Sequence, residues 1–116
     1  MKKIFILVLV FQALVSCSEN KVLCKLPEEV TYSGQIKSLV EAKCFSCHAP
    51  DVYKKKASRM KIFDYKSLKS TAEEGTLMGS LMHETGFIPM PYRKGKKIDT
   101  CSIALFQKWI DGGLKE

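Results

Sequence analysis

Two cysteines and a histidine at positions 44 to 48 form the sequence Cys44-Phe45-Ser46-Cys47-His48, and their types and spacing suit one kind of chemistry. The thiols of Cys44 and Cys47 can each form a thioether with a vinyl group of a haem. The adjacent imidazole of His48 is then delivered to the iron as its proximal ligand. The pattern predicts a covalently attached c-type haem, and the single copy of the motif predicts one haem.

Two other interpretations use the same residues. A thioredoxin-like redox pair would need a βαβ pattern around the cysteines, and no alternating strand pattern precedes Cys44. A structural zinc site would need a fourth ligand, for which Cys24, Cys101 and His83 are the candidates. The direct adjacency of cysteine and histidine in the motif suits a tetrahedral zinc site poorly. We therefore favour the haem.

The beginning of the chain has the features of an export signal. Lys2 and Lys3 precede an apolar run of twelve residues, Ile4 to Val15, which is broken only by Gln12. A run of this length is too short to cross a bilayer as a helix. It therefore predicts a cleaved signal peptide rather than a membrane-spanning anchor or a buried helix.

The end of this segment, Leu14-Val15-Ser16-Cys17, resembles the lipobox of bacterial lipoproteins, in which the cysteine is acylated and becomes the first mature residue. An ordinary cleavage site, which needs only small residues, is the alternative. Lipoprotein processing predicts a signal peptide at 1–16, a polar tether at 17–29 and a folded domain at 30–116. Lipid on Cys17 would hold that domain to the periplasmic side or the surface of a bacterial membrane.

The charge balance bears on the partners. The formal net charge is +7, which is too modest to indicate nucleic acid as a partner, and no nucleic-acid-binding motif is present. Basic side chains gather at 54–56 and at 93–97. We expect a basic surface that attracts an acidic redox protein, although a run of charges is more commonly just a solvated segment.

Two cysteines remain once Cys17 is assigned to lipid and the motif cysteines to haem. They are Cys24 and Cys101. In an exported protein, which folds in an oxidising compartment, the pair predicts a disulfide. Two independent buried thiols are the alternative.

The apolar spacing predicts an all-α domain of about four short helices around the haem. The first should run from about Gly34 into the haem motif, with Ser33 as its N-cap, because five residues share one helical face. These are Tyr32, Ile36, Leu39, Val40 and Cys44. The segment Asp51–Met60 should be a solvated loop. Asp64 should then cap a helix that ends near Gly75.

A further helix should begin at Thr76, and the last should follow a cap at Asp99 or Thr100 and end at Gly112-Gly113. An apolar stripe should face the core from this last helix. Its members are Ile103, Phe106 and Ile110, with Leu105 and Trp109 beside them.

The loop Gly86–Pro91 interrupts the helical pattern and places Met90 between Pro89 and Pro91. Because two prolines stiffen the loop, it should hold the thioether at a fixed depth as the sixth, distal ligand of the iron. Ordinary core packing of Met90 is one alternative, and His83 as a second imidazole ligand is another. The other methionines in helical or basic contexts, Met60, Met78 and Met82, are expected to be packing residues.

Taken together, these motifs resemble a monohaem class I cytochrome c domain, and in detail the chain is similar to the short planctomycete-type domains of that family. The resemblance is carried by Ile36–Val40 before the haem motif, by Met90-Pro91 and by the helix end Trp109–Gly113. It covers about Val30 to Leu114, which is nearly all of the expected mature chain.

The resemblance implies an all-α fold around one haem and single-electron transfer without a substrate. It implies that Cys44 and Cys47 hold the haem, with His48 as the proximal and Met90 as the distal ligand. The lysine-rich stretch after the haem motif and the remaining cysteine pair depart from the simplest family pattern. Two other functions stay open at this point. One is a haem-based sensor or enzyme with an open sixth position, and the other is a small haem subunit of a membrane redox complex.

Overall fold

The computed structural model describes residues 23–116, and within that range the chain forms helices and loops without a strand. A π-helical turn at Tyr32–Ile36 runs into α1 (Lys37–His48), and α2 (Tyr53–Lys56), α3 (Tyr65–Glu73), α4 (Thr76–Met82) and α5 (Thr100–Asp111) follow. The predicted all-α class is therefore confirmed for this part of the chain. The predicted signal peptide and the lipidation site at Cys17 lie outside the described residues.

The helical segment that leads to the haem motif begins earlier than predicted. Its N-cap is Thr31, whose hydroxyl accepts from the Gly34 N–H at 3.0 Å, while the Thr31 N–H donates to the Gln35 side chain at 2.9 Å. The prediction of Ser33 as the cap was wrong, because the Thr31 hydroxyl takes this role and places Tyr32 in the first turn. An exchange of hydrogen bonds between the cap and the first turn is the logic of a capping box.

The core is built around α5 and the π-helical turn that leads into α1, with α3 and α1 packed beside them. Its fully buried large side chains are Trp109, Phe106, Ile36, Leu68 and Val40. The predicted apolar face of the first helix is confirmed, since Tyr32, Ile36 and Val40 are buried and the other two members pack against the cluster.

The face that α5 buries is rotated from the predicted stripe. Phe106 and Trp109 are buried, whereas Ile103 and Ile110 are only half-buried. The indole ring of Trp109 packs 6.3 Å from that of Tyr32, and its Nε1–H donates to the carbonyl of Lys115 at 2.8 Å. A large ring with one satisfied polar group is the strongest anchor available to this helix, so it sets the orientation.

The middle helices follow their local signals with one exception. Asp64 caps α3 by accepting from the Ser67 N–H at 2.9 Å. Gly75, which separates α3 from α4, lies in the left-handed region with φ of +77°. The segment Asp51–Met60, however, contains the short helix α2. Tyr53 provides its anchor by packing edge-on against Phe63 at 5.1 Å, so the segment is more than a solvated loop.

The chain before the first buried residue is held to α5. Cys24 and Cys101 lie at disulfide-bonding distance, with their Cα atoms 5.3 Å apart, which is a usual separation for a bridge. Val30 is the first buried side chain of the described residues. Between residues 23 and 116 no helix has the length and apolar character needed to cross a bilayer.

Candidate functional site

The motif cysteines lie on the last turns of α1. Cys44 and Cys47 are both free and half-buried, and their three-residue spacing puts them on neighbouring positions of the helix surface. Burial raises the pKa of the Cys44 thiol to about 11. A reactive redox pair needs a lowered thiol pKa, so this environment does not favour a thioredoxin-like activity. It is compatible with two thiols that serve as attachment points.

His48, at the end of α1, is buried and its ring is fixed by one hydrogen bond. Its Nδ1 lies 3.2 Å from the backbone carbonyl oxygen of Met60. Because a carbonyl can only accept, Nδ1 carries the proton, and in the neutral form of the ring the lone pair then lies on Nε2. Metal-binding histidines are typically oriented in this way, with one ring nitrogen on a carbonyl and the other available to the metal.

The Met60 carbonyl is a functional group that the sequence analysis missed. The chain reaches it through a tight turn in which Ser58 and Arg59 both have positive φ, at 49° and 68°. The Met60 N–H donates to the Ala57 carbonyl at 2.7 Å. The turn and this hydrogen bond together direct the Met60 carbonyl to His48. No side-chain pattern signals a backbone acceptor.

Met90 is half-buried, and both of its backbone polar groups are bonded to α4 or its end. Its N–H donates to the Ser80 carbonyl at 3.0 Å, and its carbonyl accepts from Nε2 of His83 at 2.9 Å. The peptide bond between Met90 and Pro91 is cis. The predicted ligand loop is therefore tied to a helix.

A second contact closes the loop onto the same helix. The ring of Phe87 lies against Gly79, where an added Cβ would stand only 2.5 Å from a ring carbon. Only glycine allows this approach, and Gly79 is buried by it. The loop thus has a packing contact as well as two hydrogen bonds.

The structure does not assemble the zinc site considered from the sequence. Cys24 and Cys101 lie next to each other rather than at the haem motif, and His83 contacts the ligand loop. Among the residues that the structure describes, no group of three or more histidine, cysteine, aspartate or glutamate side chains is arranged to hold a metal.

Large apolar side chains are exposed beside the candidate ligands. Five large apolar side chains in the described range are exposed. The exposed fraction lies between 39% and 62% for four of them, Met60, Met82, Ile88 and Tyr92. Single exposed apolar residues are ordinary. Here, however, one is the residue whose carbonyl holds His48, and the others lie within two positions of His83 or Met90. Exposed apolar side chains therefore lie close in sequence to both His83 and Met90, and one of them is the residue whose carbonyl contacts His48.

Basic residues border both parts of the candidate site. The three lysines of α2 are exposed, α2 packs against α1, and the Nζ of Lys56 donates to the carbonyl of Ser46 at 3.3 Å, inside the attachment motif. The second basic segment, 93–97, follows the ligand loop directly and is also exposed. Positive charge therefore lies next to α1, which carries the motif, and next to the loop that carries Met90.

Comparison with protein-family models, with curated proteins and with solved structures found no match for this chain. The function is therefore best judged from the chemistry of the candidate site. The candidate ligands are two half-buried thiols and an oriented imidazole on α1, and a methionine on a separate loop that is held to α4.

Proposed function

We propose that this protein is a monohaem c-type cytochrome, a single-electron carrier. The observation that carries the proposal is the hydrogen bond from Nδ1 of His48 to the Met60 carbonyl, which leaves Nε2 free one residue after the second motif cysteine. Histidine alone could be a buried structural residue. A histidine so oriented beside two free thiols at this spacing is what covalent haem attachment requires.

Each site residue has a defined task under this proposal. Cys44 and Cys47 hold the haem through thioethers, His48 is the proximal ligand and Met90 the distal one. When bound, the haem supplies an iron that takes up and releases one electron. The Met60 carbonyl keeps His48 in one tautomer and makes its free nitrogen a better donor. Because His48 and Met90 would both bind the iron, no position on it would remain for a substrate, and the proposed role is that of a carrier rather than an enzyme.

The surroundings of the site suggest the kind of partner. Exposed lysines next to the attachment motif and the ligand loop would attract a redox protein with an acidic docking surface and orient its approach. We further propose that lipid on Cys17 keeps the carrier on the exported side of a bacterial membrane, in the periplasm or at the cell surface. Co-purification from native membranes would distinguish a free shuttle from a subunit of a redox complex.

Covalent attachment is tested on denaturing gels stained for haem. The variant with Cys44→Ala and Cys47→Ala should carry no haem after denaturation. A matched control, Ser46→Ala, changes an exposed residue between the two cysteines and should keep its haem. Stain retained on the first variant would refute the attachment site.

The distal ligand is tested by Met90→Ala. Removal of the thioether should abolish the charge-transfer band of methionine-ligated ferric haem, lower the reduction potential and open the ferrous iron to carbon monoxide. Met82→Ala, which changes an exposed methionine at the end of α4, should leave the charge-transfer band in place, because its sulfur is not the proposed ligand. Rapid carbon monoxide binding by the unmutated protein would instead favour the sensor or enzyme, and a parent without the band would favour two imidazole ligands.

A further inference from the structure

We propose that His83 is a positioning residue that holds Met90 in place as the distal ligand. The contact is the hydrogen bond from Nε2 of His83 to the backbone carbonyl of Met90. This inference rests on the proposed function and assigns His83 a role other than that of an axial ligand.

The two hydrogen bonds that hold Met90 involve only its backbone. The N–H and the carbonyl of Met90 are both bonded, to Ser80 and His83 respectively, and neither bond uses an atom of the side chain. The thioether is therefore left available while the Cα position is fixed at two points. Pro89 and Pro91 restrict the backbone on either side, so a displacement of the carbonyl moves the residue as a whole.

The backbone conformation of His83 supports a role for its ring. It ends α4 in the left-handed region, with φ of +57°. This position after a helix is usually glycine, because a Cβ is unfavourable there. Helix termination alone would be served better by glycine or asparagine. A histidine offers instead a donor long enough to reach across to Met90.

The ring of Phe87 against Gly79 keeps the loop on α4 independently of His83. Loss of the histidine should therefore loosen Met90 rather than unfold the loop. Cys44, Cys47 and His48 lie on a different helix, so haem attachment should persist. These features make the role measurable in a folded, haem-loaded variant.

Two substitutions separate positioning from helix termination. The amide nitrogen of His83→Gln stands close to where Nε2 stands and can donate to the same carbonyl. His83→Asn suits the left-handed backbone at least as well but is too short to place its amide there. Positioning predicts that glutamine rescues and asparagine does not, whereas a termination role predicts the reverse.

The experiment measures displacement of Met90 in the haem-loaded full-length protein. Carbon monoxide binding to the ferrous form and hydrogen exchange of the Met90 amide report the opening of the loop, and the thioether band reports the ligand. Loss of one hydrogen bond should raise the opening equilibrium in His83→Asn and His83→Ala by roughly three- to tenfold. His83→Gln should stay close to the parent, and so should the neighbouring exposed variant Glu84→Ala.

The outcomes separate the two proposals. If the parent shows the thioether band and all His83 variants open like the parent, positioning is refuted while the cytochrome assignment stands. Equal loosening by glutamine and asparagine also refutes it. If the parent lacks the band, both the ligation by Met90 and the positioning role of His83 are refuted. If His83→Ala fails to accumulate, the comparison of glutamine with asparagine still decides.

Discussion

Substitution of Asp99 tests how α5 is fastened to the helix that bears the haem motif. Asp99 caps α5 by accepting from the N–H of Ser102 at 2.9 Å and from its hydroxyl at 2.7 Å. The same carboxylate pairs with Lys43 on α1 at 3.1 Å. The hydrogen bonds from Ser102, followed by the contact with Lys43, lower the pKa of Asp99 to about 2.

The two tasks of Asp99 can be separated by their magnitudes. The side chains of Lys43 and Asp99 are 41% and 51% exposed, so their ion pair should contribute only about 0.2–1 kcal/mol. Removal of an aspartate N-cap costs about 0.5–2 kcal/mol. We therefore expect Asp99→Ala to lower the free energy of unfolding by about 1–3 kcal/mol. Asp99→Asn keeps a capping oxygen and should cost less than about 1 kcal/mol, similar to Lys43→Met.

Urea unfolding of the haem-loaded protein at several pH values checks these expectations. The pKa of Asp99 in the folded protein lies below the ordinary value of 3.8. Its charge therefore stabilises the fold fully above about pH 4, and this contribution is lost as the pH falls toward 2. The difference between parent and Asp99→Asn should be complete at neutral pH and shrink over that acidic interval. Asp51→Asn, at an exposed aspartate, serves as the control.

Three results would contradict this account of Asp99. Equal destabilisation by asparagine and alanine would mean that the cap contributes nothing. Additive effects of Lys43→Met and Asp99→Asn in a double-mutant cycle would mean that the ion pair is not formed. If the difference in free energy of unfolding between the parent and Asp99→Asn is unchanged at pH 2, the charge of Asp99 does not cause it.

Two further predictions concern the remaining cysteines. Cys24→Ser with Cys101→Ser should lower the free energy of unfolding by about 4–5 kcal/mol, the chain-entropy value for a bridge of this span, since 77 positions separate the pair. Thiol counting on the unreduced, haem-loaded domain should find neither of the two free, and two reactive thiols would exclude the bridge. Cys17→Ser should abolish incorporation of labelled palmitate and leave the precursor unprocessed. Equal labelling of parent and variant would show that the lipobox assignment is wrong.

The helices could be predicted from the sequence where the signals are local. Asp64 and Asp99 cap their helices as expected, because an aspartate needs only the N–H groups of the next turn. Ser33 failed as a cap because Thr31, a hydroxyl residue two positions earlier, accepts from the Gly34 N–H instead. Local rules allow either hydroxyl residue, so they do not decide at which one the helix begins.

The candidate site was predictable in its side chains but not in its backbone partners. Cys44, Cys47 and His48 could be identified from type and spacing. The Met60 carbonyl that orients His48, and the Met90 carbonyl that His83 engages, could not be, because every residue has a carbonyl. Which one faces a histidine depends on how distant turns fold. His83 was considered as a rival ligand because its imidazole could bind the iron, and in the structure the ring contacts the Met90 carbonyl.

The Cys24–Cys101 bridge also determines how an anchored domain would stand on a membrane. From Cys17 to Cys24 the chain advances seven residues, which reach at most about 25 Å when extended. Without the bridge, the chain from Cys17 to the first buried residue, Val30, would act as the tether, and its maximal length would be almost twice as long. A pull from the bilayer would enter the fold through the sulfurs into α5, and it would bypass the segment that leads into α1. The helix that carries Cys44, Cys47 and His48 would therefore not transmit force from a lipid anchor on Cys17.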